Sequence, residues 1–563
     1  MNSAFTFCFF WAYRVKFNRT QFTTVMKWAL VFCLLSMRVI AQESLVADWN
    51  ISGTGNGASG FSQMTFDAQG NVYALGDFRR GDLEINGTTL TEDPNLMNSL
   101  VLATDNSGDV LWTISGLDKA VGMEVMDVSN SLLIAERNKW SAWDLSTGQS
   151  INTIQLANDP AGYAIISSMS KNGNGEILSA IEAEGSHVLV NADTLMFPSY
   201  GHFLVLISWD PSLSVQQHVF VPFDNVPLLE GMSIKGGANQ FAVFVNADSI
   251  DVAFAGTHLN ANAAVQNSPS RVMMLVCDAQ LNFLNVQWFG SHNAGIQIEE
   301  INYDAVTQSF YMASNVYNEN GAGNPFGMQI GMQQFNAPSN CDFFPVFFHF
   351  DENNYNVVRA SCNVIGNAVL ARSFRPWNNG DALMIFNSIQ SFSLNNMNVN
   401  PDTDTNFNGD VYSETFWARV GGNGNVLNSG SLGMVYDHMH GQVELRGNAL
   451  YTCGIAIDTD VDFLDDISVN LKRENFVESS SEGVLENTTH ELQFFPNPVE
   501  NAFQLTGIPP GASVSIWNAA GQLISTSLYA GVSMSLPENM TQGIYLISVS
   551  HGTEVFTSRM IKQ

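Results

Sequence analysis

The 563-residue sequence has few charged residues and very few basic ones. Charged residues make up 13% of the chain, against roughly 25% in ordinary soluble domains, so Asn, Ser, Thr and Gly must supply most surface polarity. This composition is typical of extracellular β-proteins. The 22 Lys and Arg residues against 53 Asp and Glu give a net charge of −31, which argues against a nucleic-acid-binding protein. After residue 41, no segment has the ~18 consecutive apolar residues of a membrane span, so we expect no transmembrane segment in the mature chain.

Residues 1–41 form a leader. Within it, residues 26–41 are typical of a secretory signal peptide, because Lys27 precedes a ten-residue apolar run and a cleavage site follows before Gln42. Ten apolar residues span only ~15 Å as a helix, which argues against a transmembrane anchor. Residues 1–25 are either an over-extended start before Met26 or a long basic region of the signal. We therefore expect export through the Sec machinery.

Residues 42–472 contain recurring strand patterns. WNISG from Trp49 and WTISG from Trp112 align in register, so the same strand ending is used twice. A longer unit, in which an apolar strand, an Asp-containing turn and a second apolar strand follow one another, recurs from residues 98, 202, 271 and 344. A shorter element with a candidate tight turn precedes it, as INGTTL at 85, VNADTL at 190, FAGTHL at 254 and IGMQQF at 330. No segment has a convincing helical period, so the patterns predict an all-β chain.

Counting the patterns gives seven units, at 61–115, 120–156, 163–222, 231–290, 297–361, 364–432 and 439–472. The last unit lacks its outermost strand, which Leu45–Trp49 would supply. Radial repetition of four-stranded sheets leaves only short protected edges and describes a β-propeller. We predict a β-propeller of about seven blades over 42–472, with the N-terminal strand closing the last blade. An open array of β-sandwiches remains the alternative.

Two short motifs connect these units with known repeats. The Gly-Asn-Val-Tyr hairpin at Gly70–Tyr73 and the Asp-x-x-Gly turn from Asp105 to Gly108, which is followed by Trp112, resemble SBBP-type β-propeller repeats of exported bacterial proteins. Asp144–Gly148 is similar to quinoprotein-type propeller repeats. Neither motif identifies a ligand.

The C-terminal region has a different composition and strand pattern. Residues 473–491 are acidic and Ser-rich, as in an exposed linker, and residues 492–563 show short strands typical of a small β-sandwich. Three motifs follow in order, at Phe495–Pro498, Ile516–Leu523 and Met540–Tyr545. They resemble the type A C-terminal sorting domain of the type IX secretion system in Bacteroidetes.

This resemblance implies a set of sorting residues, namely Pro496, Asn497, Pro498, Asn518, Gly521, Gly543, Tyr545 and Lys562. It also implies recognition by the type IX secretion and sorting machinery and passage across the outer membrane. Removal of the domain and attachment to the cell surface, or release, would follow. We therefore expect a secreted or cell-surface protein.

Common catalytic signatures are missing from the sequence. It contains no Gly-x-Ser-x-Gly, His-Glu-x-x-His or Gly-x-x-x-x-Gly-Lys, so a nucleophile elbow, a zincin site and a phosphate loop lack support. Glu299 and Glu300 are candidate carboxylates of a propeller glycosidase, but adjacent residues of a regular strand point to opposite faces, so a solvated pair is expected. His438 and His440 would supply two metal ligands, and two ligands make no site.

One loop has the spacing of a calcium site. Oxygen-bearing side chains alternate along it, at Asp402, Asp404, Asn406, Asn408 and Asp410. An EF-hand loop would have Gly and Glu where this chain has Phe407 and Ser413, so a solvated loop without calcium remains the alternative. A weaker copy of the pattern occurs over residues 458–462.

Four cysteines follow the leader. Cys341 and Cys362 flank one predicted hairpin whose midpoint lies beside Asp351, so we predict that they face each other and form a disulfide. Cys277 and Cys453 belong to distant units and are predicted to be free thiols.

Two functions remain open. The first is binding of an extracellular protein or glycan, with a role in adhesion and without catalysis. The alternative is a secreted hydrolase or lyase that acts on polysaccharide. Buried carboxylates that converge in a central pocket would favour the enzyme, and exposed aromatic side chains on one face would favour binding.

Overall fold

A computed structural model describes residues 43–562, with gaps at 56–58, 79–80, 192, 211, 224–232, 248–250, 262–264, 269, 293, 319–325, 331–332, 338–342, 353–356, 362–363, 366–368, 378–379, 389, 395–396, 400–412, 423–424, 436–441, 458–466, 479–492, 496–498, 500, 507–509, 519–522, 538–539 and 552–553. The described residues form strands and one short 3-10 turn, Asp127–Ser129, so the all-β prediction is confirmed. None of these residues belongs to a helix that is long and apolar enough to cross a membrane. The chain divides into two compact units, Gln42–Glu478 and one that contains Ser479–Gln563.

The strands of the first unit are numbered in chain order. The first fifteen are β1 Glu43–Gly55, β2 Ser59–Phe66, β3 Val72–Phe78, β4 Leu83–Ile85, β5 Thr88–Leu90, β6 Ser99–Thr104, β7 Val110–Leu117, β8 Ala120–Met126, β9 Ser131–Glu136, β10 Lys139–Asp144, β11 Ser150–Asn158, β12 Tyr163–Lys171, β13 Ile177–Val190, β14 Asp193–Trp209 and β15 Val215–Phe223. The next twelve are β16 Ser233–Gly236, β17 Gln240–Asn246, β18 Asp251–Phe254, β19 Thr257–Asn260, β20 Arg271–Asp278, β21 Phe283–His292, β22 Ala294–Asp304, β23 Ser309–Asn318, β24 Gly327–Ile330, β25 Gln333–Asn336, β26 Phe343–Asp351 and β27 Val357–Ser361. The remainder are β28 Val364–Ile365, β29 Val369–Pro376, β30 Ala382–Ser388, β31 Phe392–Leu394, β32 Met397–Val399, β33 Ser413–Val420, β34 Val426–Val435, β35 Val443–Arg446, β36 Ala449–Ile457 and β37 Ile467–Glu478.

Most of these strands form antiparallel sets of four. The sets are β2-β3-β6-β7, β8-β9-β10-β11, β12-β13-β14-β15, β16-β17-β20-β21, β22-β23-β26-β27, β29-β30-β33-β34 and β35-β36-β37-β1. A strand in the middle of a set is buried on both faces, as in β6, where all six residues are buried, because other sheets cover both of its faces. An outer strand such as β11 is mostly exposed, with burial only at Ile154 and Leu156.

The N-terminal strand β1 is the outer strand of the last set, as the sequence predicts. It pairs antiparallel with β37, with Trp49 opposite Arg473 and Ile51 opposite Leu471. Strand β37 continues to Glu478, so it includes residues 473–478, which the sequence assigned to the linker. These residues are held in the strand because their partners lie at the start of β1, more than 400 positions earlier in the chain.

The shorter elements of the repeat are hairpins that cover the outer edge of the preceding set. The β4-β5 hairpin pairs with β1, and the β24-β25 hairpin pairs with β21. The tip of the β13-β14 hairpin pairs with β11, where Leu156 lies opposite Val190. Because an uncovered outer strand would offer free backbone groups for aggregation, these hairpins protect the sheet edges.

The core of this unit is a series of apolar clusters, each shared by two consecutive sets. Phe310 and Phe289 lie in one such cluster, and Trp140 and Trp209 lie in another. One further cluster joins the first set to the last, because Phe61 and Val72 pack with Tyr451 and Leu471. The series of clusters therefore returns to its beginning.

Aspartates hold the turns that lead into outer strands. Asp105 Oδ1 accepts hydrogen bonds from the backbone N–H groups of Ser107 at 2.8 Å and Asp109 at 2.9 Å. Asp210 does the same two and four residues onward, with both bonds at 2.9 Å. These recurring side chains mimic a backbone turn, which gives them a structural role.

The second unit has two sheets around one core. Its strands are β38 Gln493–Phe495, β39 Ala502–Thr506, β40 Ser513–Asn518, β41 Leu523–Leu528, β42 Met534–Ser535, β43 Gly543–His551 and β44 Glu554–Lys562. One sheet has the order β38-β39-β42 and the other β41-β40-β43-β44. Phe503 and Leu505 from the first sheet share a buried cluster with Val514, Ile547 and Val549 from the second.

The cysteine predictions have different outcomes. Cys277 and Cys453 are free thiols, buried in two different clusters, and burial raises the pKa of each to about 12. Cys341 and Cys362 lie outside the described residues, so their disulfide stays a prediction. The register on which it was based was wrong, because Phe350 pairs with Val357 and the middle of the hairpin lies beyond Asp351. The two strands pair around a point later in the chain than the symmetric spacing of the cysteines indicated.

Candidate functional sites

The first strands of the sets in Gln42–Glu478 converge on one cavity of about 440 Å³. Each of them contributes to its wall: β2, β8, β12, β16, β22 and β29 directly, and β35 through Gln442, the residue before it. Most lining side chains are polar, and the charged ones are Glu124, Lys235, Glu299, Glu300 and Arg372. The volume falls within the range of ligand-binding pockets, so this cavity is the candidate binding site.

A β-bulge recurs in five of these first strands. Its extra residue lines the cavity each time, namely Ser62, Val121, Ser167, Glu299 and Arg372. A bulge inserts one residue into one strand and so breaks the regular alternation of side chains. The bulges therefore direct to the cavity side chains that a regular strand would direct elsewhere.

Glu299 and Glu300 both line the cavity, although they are adjacent in the chain. Ile298 pairs with Ser314 and Glu300 pairs with Ala313, so Glu299 is the extra residue of the bulge. The expectation that the two carboxylates point to opposite faces was wrong because it assumed a regular strand. The expectation of a solvated pair was wrong as well, since the side chain of Glu299 is only 4% exposed.

Each of these carboxylates has its own arginine on β29. Glu299 pairs with Arg372 at 3.3 Å, and it also accepts a hydrogen bond from Asn315 Nδ2 at 2.8 Å. Glu300 pairs with Arg375, whose other terminal nitrogen pairs with Glu444 at 2.6 Å. Burial raises the pKa of Glu300, Arg375 acts in the opposite direction, and Glu444 raises it further. The two ion pairs connect β22 to the first strand of the next set.

Hydrogen bonds between consecutive first strands hold the rest of the wall. In each case a backbone N–H group on one strand donates to a side-chain oxygen on a neighbouring element. The bonds run from Lys171 to Glu124 Oε1 (3.1 Å), from Ile234 to Ser168 Oγ (3.1 Å), from Gly236 to Ser170 Oγ (3.1 Å) and from Met64 to Gln442 Oε1. Because first strands have no strand partner on the cavity side, these side chains satisfy backbone groups that would otherwise lack a partner.

Lys235 differs from the other basic residues of the described chain. Its half-buried side chain lines the cavity, and it has no hydrogen-bond or ion-pair partner among the described residues. The other described basic side chains without such a partner, those of Lys119, Arg137 and Arg446, are exposed to solvent. Within the described part of the chain, therefore, no side chain or backbone group neutralises the charge of Lys235 by direct contact.

The proposed metal ligands are not tested by this structure. The predicted calcium ligands, Asp402, Asp404, Asn406, Asn408 and Asp410, lie outside the described residues, as do His438, His440 and the aspartates at 458–462. Within the described part of the chain, no group of three or more His, Cys, Asp or Glu side chains is placed to hold a metal ion.

Sequence reasoning did not identify Lys235, Arg372 or Gln442 as neighbours in one site. An alignment of the units would have provided a signal, because a large apolar residue follows each bulge residue by two positions. These apolar residues are Met64, Met123, Met169, Ile301 and Phe374. This shared spacing of two positions would have pointed to the residue that lines the cavity in each unit.

The second and third sorting motifs come together in the second unit. Gly543 and Lys562 are cross-strand partners, and so are Asn518 and Tyr545. Val499, which directly follows the opening motif, donates its backbone N–H to the carbonyl of Ile561 at 2.7 Å. Residues of the second and third motifs, together with Lys562, therefore lie along adjoining strands.

The side chain of Tyr545 has a structural role within this unit. It is buried, and its hydroxyl donates to the backbone carbonyl of Thr541 at 2.9 Å. Pro496, Asn497, Pro498 and Gly521 lie outside the described residues.

Comparison with known proteins gives one family and several distant folds. Residues 493–563 match the secretion system C-terminal sorting domain. No curated protein matches the chain. Three similar solved structures are the WD40 domain of SCAP from fission yeast (5% identity, 78% of this chain and 98% of that chain, TM-score 0.35), PorZ, a surface component of the type IX secretion system of Porphyromonas gingivalis (10%, 91% and 100%, 0.16), and a DUF4221 family member from Bacteroides vulgatus (9%, 78% and 99%, 0.29).

The TM-scores of these likenesses are too low to support an argument about function. The C-terminal match is specific, because it covers the three ordered motifs and the strands that hold the second and third of them. This domain marks proteins that the type IX secretion machinery exports. The chain is therefore a secreted or cell-surface protein with a type IX C-terminal sorting domain.

Proposed function

We propose that the protein is a seven-bladed β-propeller, with SBBP-type repeats, that binds an extracellular glycan at the bacterial surface. The four-stranded sets support the seven blades, and the cluster shared by the first and last sets supports a closed ring. The cavity at the centre of the first strands carries the functional proposal, because it presents hydrogen-bond donors and acceptors from every set. A sugar, with many hydroxyl groups that both donate and accept, matches such a wall.

The fixed polar groups of the cavity favour binding over catalysis. Glu299 and Glu300 form ion pairs with arginines of the next set, and Glu124 accepts a backbone hydrogen bond from β12. These three carboxylates thus hold the wall together. A rigid wall with preset donors and acceptors lowers the entropic cost of binding a ligand.

A glycan array probed with the purified secreted protein tests this proposal. We expect binding to a limited set of glycans, because a cavity of this size holds only one or two sugar residues. An array without signal, at protein concentrations that detect micromolar affinity, would overturn glycan binding as the function.

A polysaccharide hydrolase or lyase remains a second candidate, and one observation favours it. Glu299 and Glu300 line the same cavity in different environments, and burial raises the pKa of Glu300. A carboxyl group with a raised pKa, beside a second carboxyl group, is a usual arrangement for acid and base roles. Release of reducing ends or unsaturated products from polysaccharide by the secreted protein, lost in Glu300→Gln, would establish this activity.

The two terminal regions fit the same proposal. We infer that the second unit is a small β-sandwich that the type IX machinery recognises and that is removed after export. We also infer that a signal peptide within residues 26–41 directs the chain to the Sec machinery. The mature protein is then either attached to the surface or released, and in both cases the cavity faces the extracellular medium.

A further inference from the structure

We propose that the cavity selects acidic sugars, and that Lys235 binds the ligand carboxylate. This inference rests on the proposed glycan binding and adds the substrate class. Its basis is the half-buried residue Lys235, whose ammonium group has no hydrogen-bond or ion-pair partner among the described residues. A partly buried charge without a partner is costly, so an anionic ligand group would satisfy it.

The composition of the chain makes this lysine unusual. Only 22 basic residues are available to 53 acidic ones, so acidic partners are abundant. Basic side chains on β29 form ion pairs with them: Arg372 pairs with Glu299, and Arg375 pairs with Glu300 and Glu444. Lys235 lies on the wall of the same cavity, and it forms no such pair with the residues that the structure describes. An unpaired cation at this position in so acidic a chain points to a ligand.

The remaining groups of the wall indicate what surrounds the ligand carboxylate. The described hydrogen bonds of Glu124 fall on its Oε1 atom, from Ser170 Oγ at 3.2 Å and Lys171 N–H at 3.1 Å, which leaves Oε2 to accept from a ligand hydroxyl. Gln442 uses Oε1 to accept from Met64, which leaves its Nε2 to donate. One cation, one anionic acceptor and one amide donor around a cavity fit a polyhydroxylated carboxylate.

The charge of the wall argues for a single negative charge on each bound sugar. Glu124, Glu299 and Glu300 line the cavity together with Lys235 and Arg372. A phosphate or a multiply sulfated sugar would place several negative charges beside these carboxylates. A uronic acid residue brings one, and its hydroxyl groups match Glu124 and Gln442.

General electrostatic attraction cannot produce such selectivity, because the chain carries a net charge of −31 and repels polyanions at long range. Binding of an acidic sugar must therefore depend on a local contact. The contribution of Lys235 to the affinity for acidic sugars can therefore be measured separately from the effect of the net charge.

The test is calorimetric titration of the secreted protein with tetrasaccharides of galacturonic, glucuronic and mannuronic acid. Each is compared with its carboxyl-reduced, neutral counterpart. We expect at least one acidic tetrasaccharide to bind about tenfold or more tightly than its neutral counterpart, since a hydrogen bond to a charged group contributes this much. Lys235→Gln should remove the preference, Lys235→Arg should retain most of it, and Lys119→Gln, at an exposed lysine of the same unit, should leave it unchanged.

The other outcomes separate the two proposals. Equal binding of acidic and neutral sugars, unchanged in Lys235→Gln, would overturn the selectivity and leave glycan binding in place. A preference for acidic sugars that Lys235→Gln and Lys119→Gln reduce equally, or not at all, would overturn the role of Lys235. Absence of binding to any of these sugars, together with an array without signal, would overturn glycan binding itself.

Discussion

The indole N–H of Trp49 donates to the backbone carbonyl of Asn106 at 3.2 Å. The ring also lies against Gly108, where an added Cβ atom would come within 2.7 Å of the Trp49 Cγ atom. Trp112 repeats this arrangement one set later, with its N–H on the carbonyl of Leu145 at 2.8 Å and its ring against Gly148. The contact between the N-terminal strand and the first set is therefore the same as a contact between consecutive sets.

This equivalence predicts similar losses of stability from Trp49→Ala and Trp112→Ala. Both rings are half-buried, so each substitution should cost about 2 kcal/mol, less than the ~3–5 kcal/mol of a fully buried tryptophan. Chemical denaturation measures the free energy of unfolding. Leu111→Ala, at a side chain that is 47% exposed, serves as the control and should change little. A Trp49→Ala variant as stable as the original protein would contradict closure of the ring by the N-terminal strand.

Gly108→Ala should destabilise the protein more than Gly70→Ala. Both glycines have a φ of +87°, so the backbone strain of an alanine is the same at the two positions. At Gly70 the nearest atom to an added Cβ lies at 3.8 Å, whereas at Gly108 the Cβ would collide with the ring of Trp49. We expect a difference of at least 1 kcal/mol, on the order of other overpacking changes, in the free energy of unfolding. Equal losses of stability in the two variants would show that the Trp49 ring does not pack against Gly108.

Glu300 should make stability depend on pH. Burial raises the pKa of its carboxyl group, so its contribution is largest below the ordinary pKa of glutamate and falls as the pH rises through the value in the folded protein. Glu300→Gln stays neutral throughout. The stability of this variant relative to the original protein should therefore increase between pH 4 and pH 8, by about 1.4 kcal/mol for each unit of the shift.

Glu84→Gln is the matched control for this experiment, because Glu84 is exposed on β4. Because this side chain is exposed, the substitution should change the free energy of unfolding little. A difference for Glu300→Gln that is constant, or that falls as the pH rises, would show that the Glu300 carboxyl is not held at a raised pKa.

Deletion of residues 493–563 should prevent export across the outer membrane. The deleted region matches the sorting domain, so the shortened chain should accumulate in the periplasm while the full chain reaches the surface or the medium. Cell fractionation followed by mass spectrometry measures both forms, and the secreted form should lack the tail. Secretion of the shortened chain would contradict the sorting role, and a tail retained on extracellular protein would contradict its removal.

The strand pattern and the pairing of distant strands could be predicted from the sequence because they depend on repeated side chains. Trp49 and Trp112 share a motif, which indicated that the N-terminal strand belongs to a set that lacks one strand. The positions of Glu299 and Glu300 could not be predicted, because a bulge depends on pairing with Ser314 and Ala313 in the next strand. The predicted register of the hairpin beyond Phe350 was wrong for a similar reason, since the register depends on how the two strands pair.

The cavity was not predicted from the sequence either, although the recurring spacing in the units offered a signal. Lys235 and Arg372 belong to different sets, and their common position depends on how the first strands converge. The sorting domain needed no such information, because its motifs are continuous segments and its residues meet on adjoining strands.

The most direct test of the account is whether a ligand occupies the central cavity. Ser167 is the bulge residue of β12 and lines the cavity, so Ser167→Phe should fill part of it. Ser107→Phe, in an exposed turn, is the matched control. The measurement is a glycan array with the original secreted protein and both variants, at equal concentrations and with unfolding temperatures recorded. We predict that Ser167→Phe loses the glycan signals while Ser107→Phe keeps them, and an unchanged array profile for a folded Ser167→Phe protein would contradict binding in the cavity.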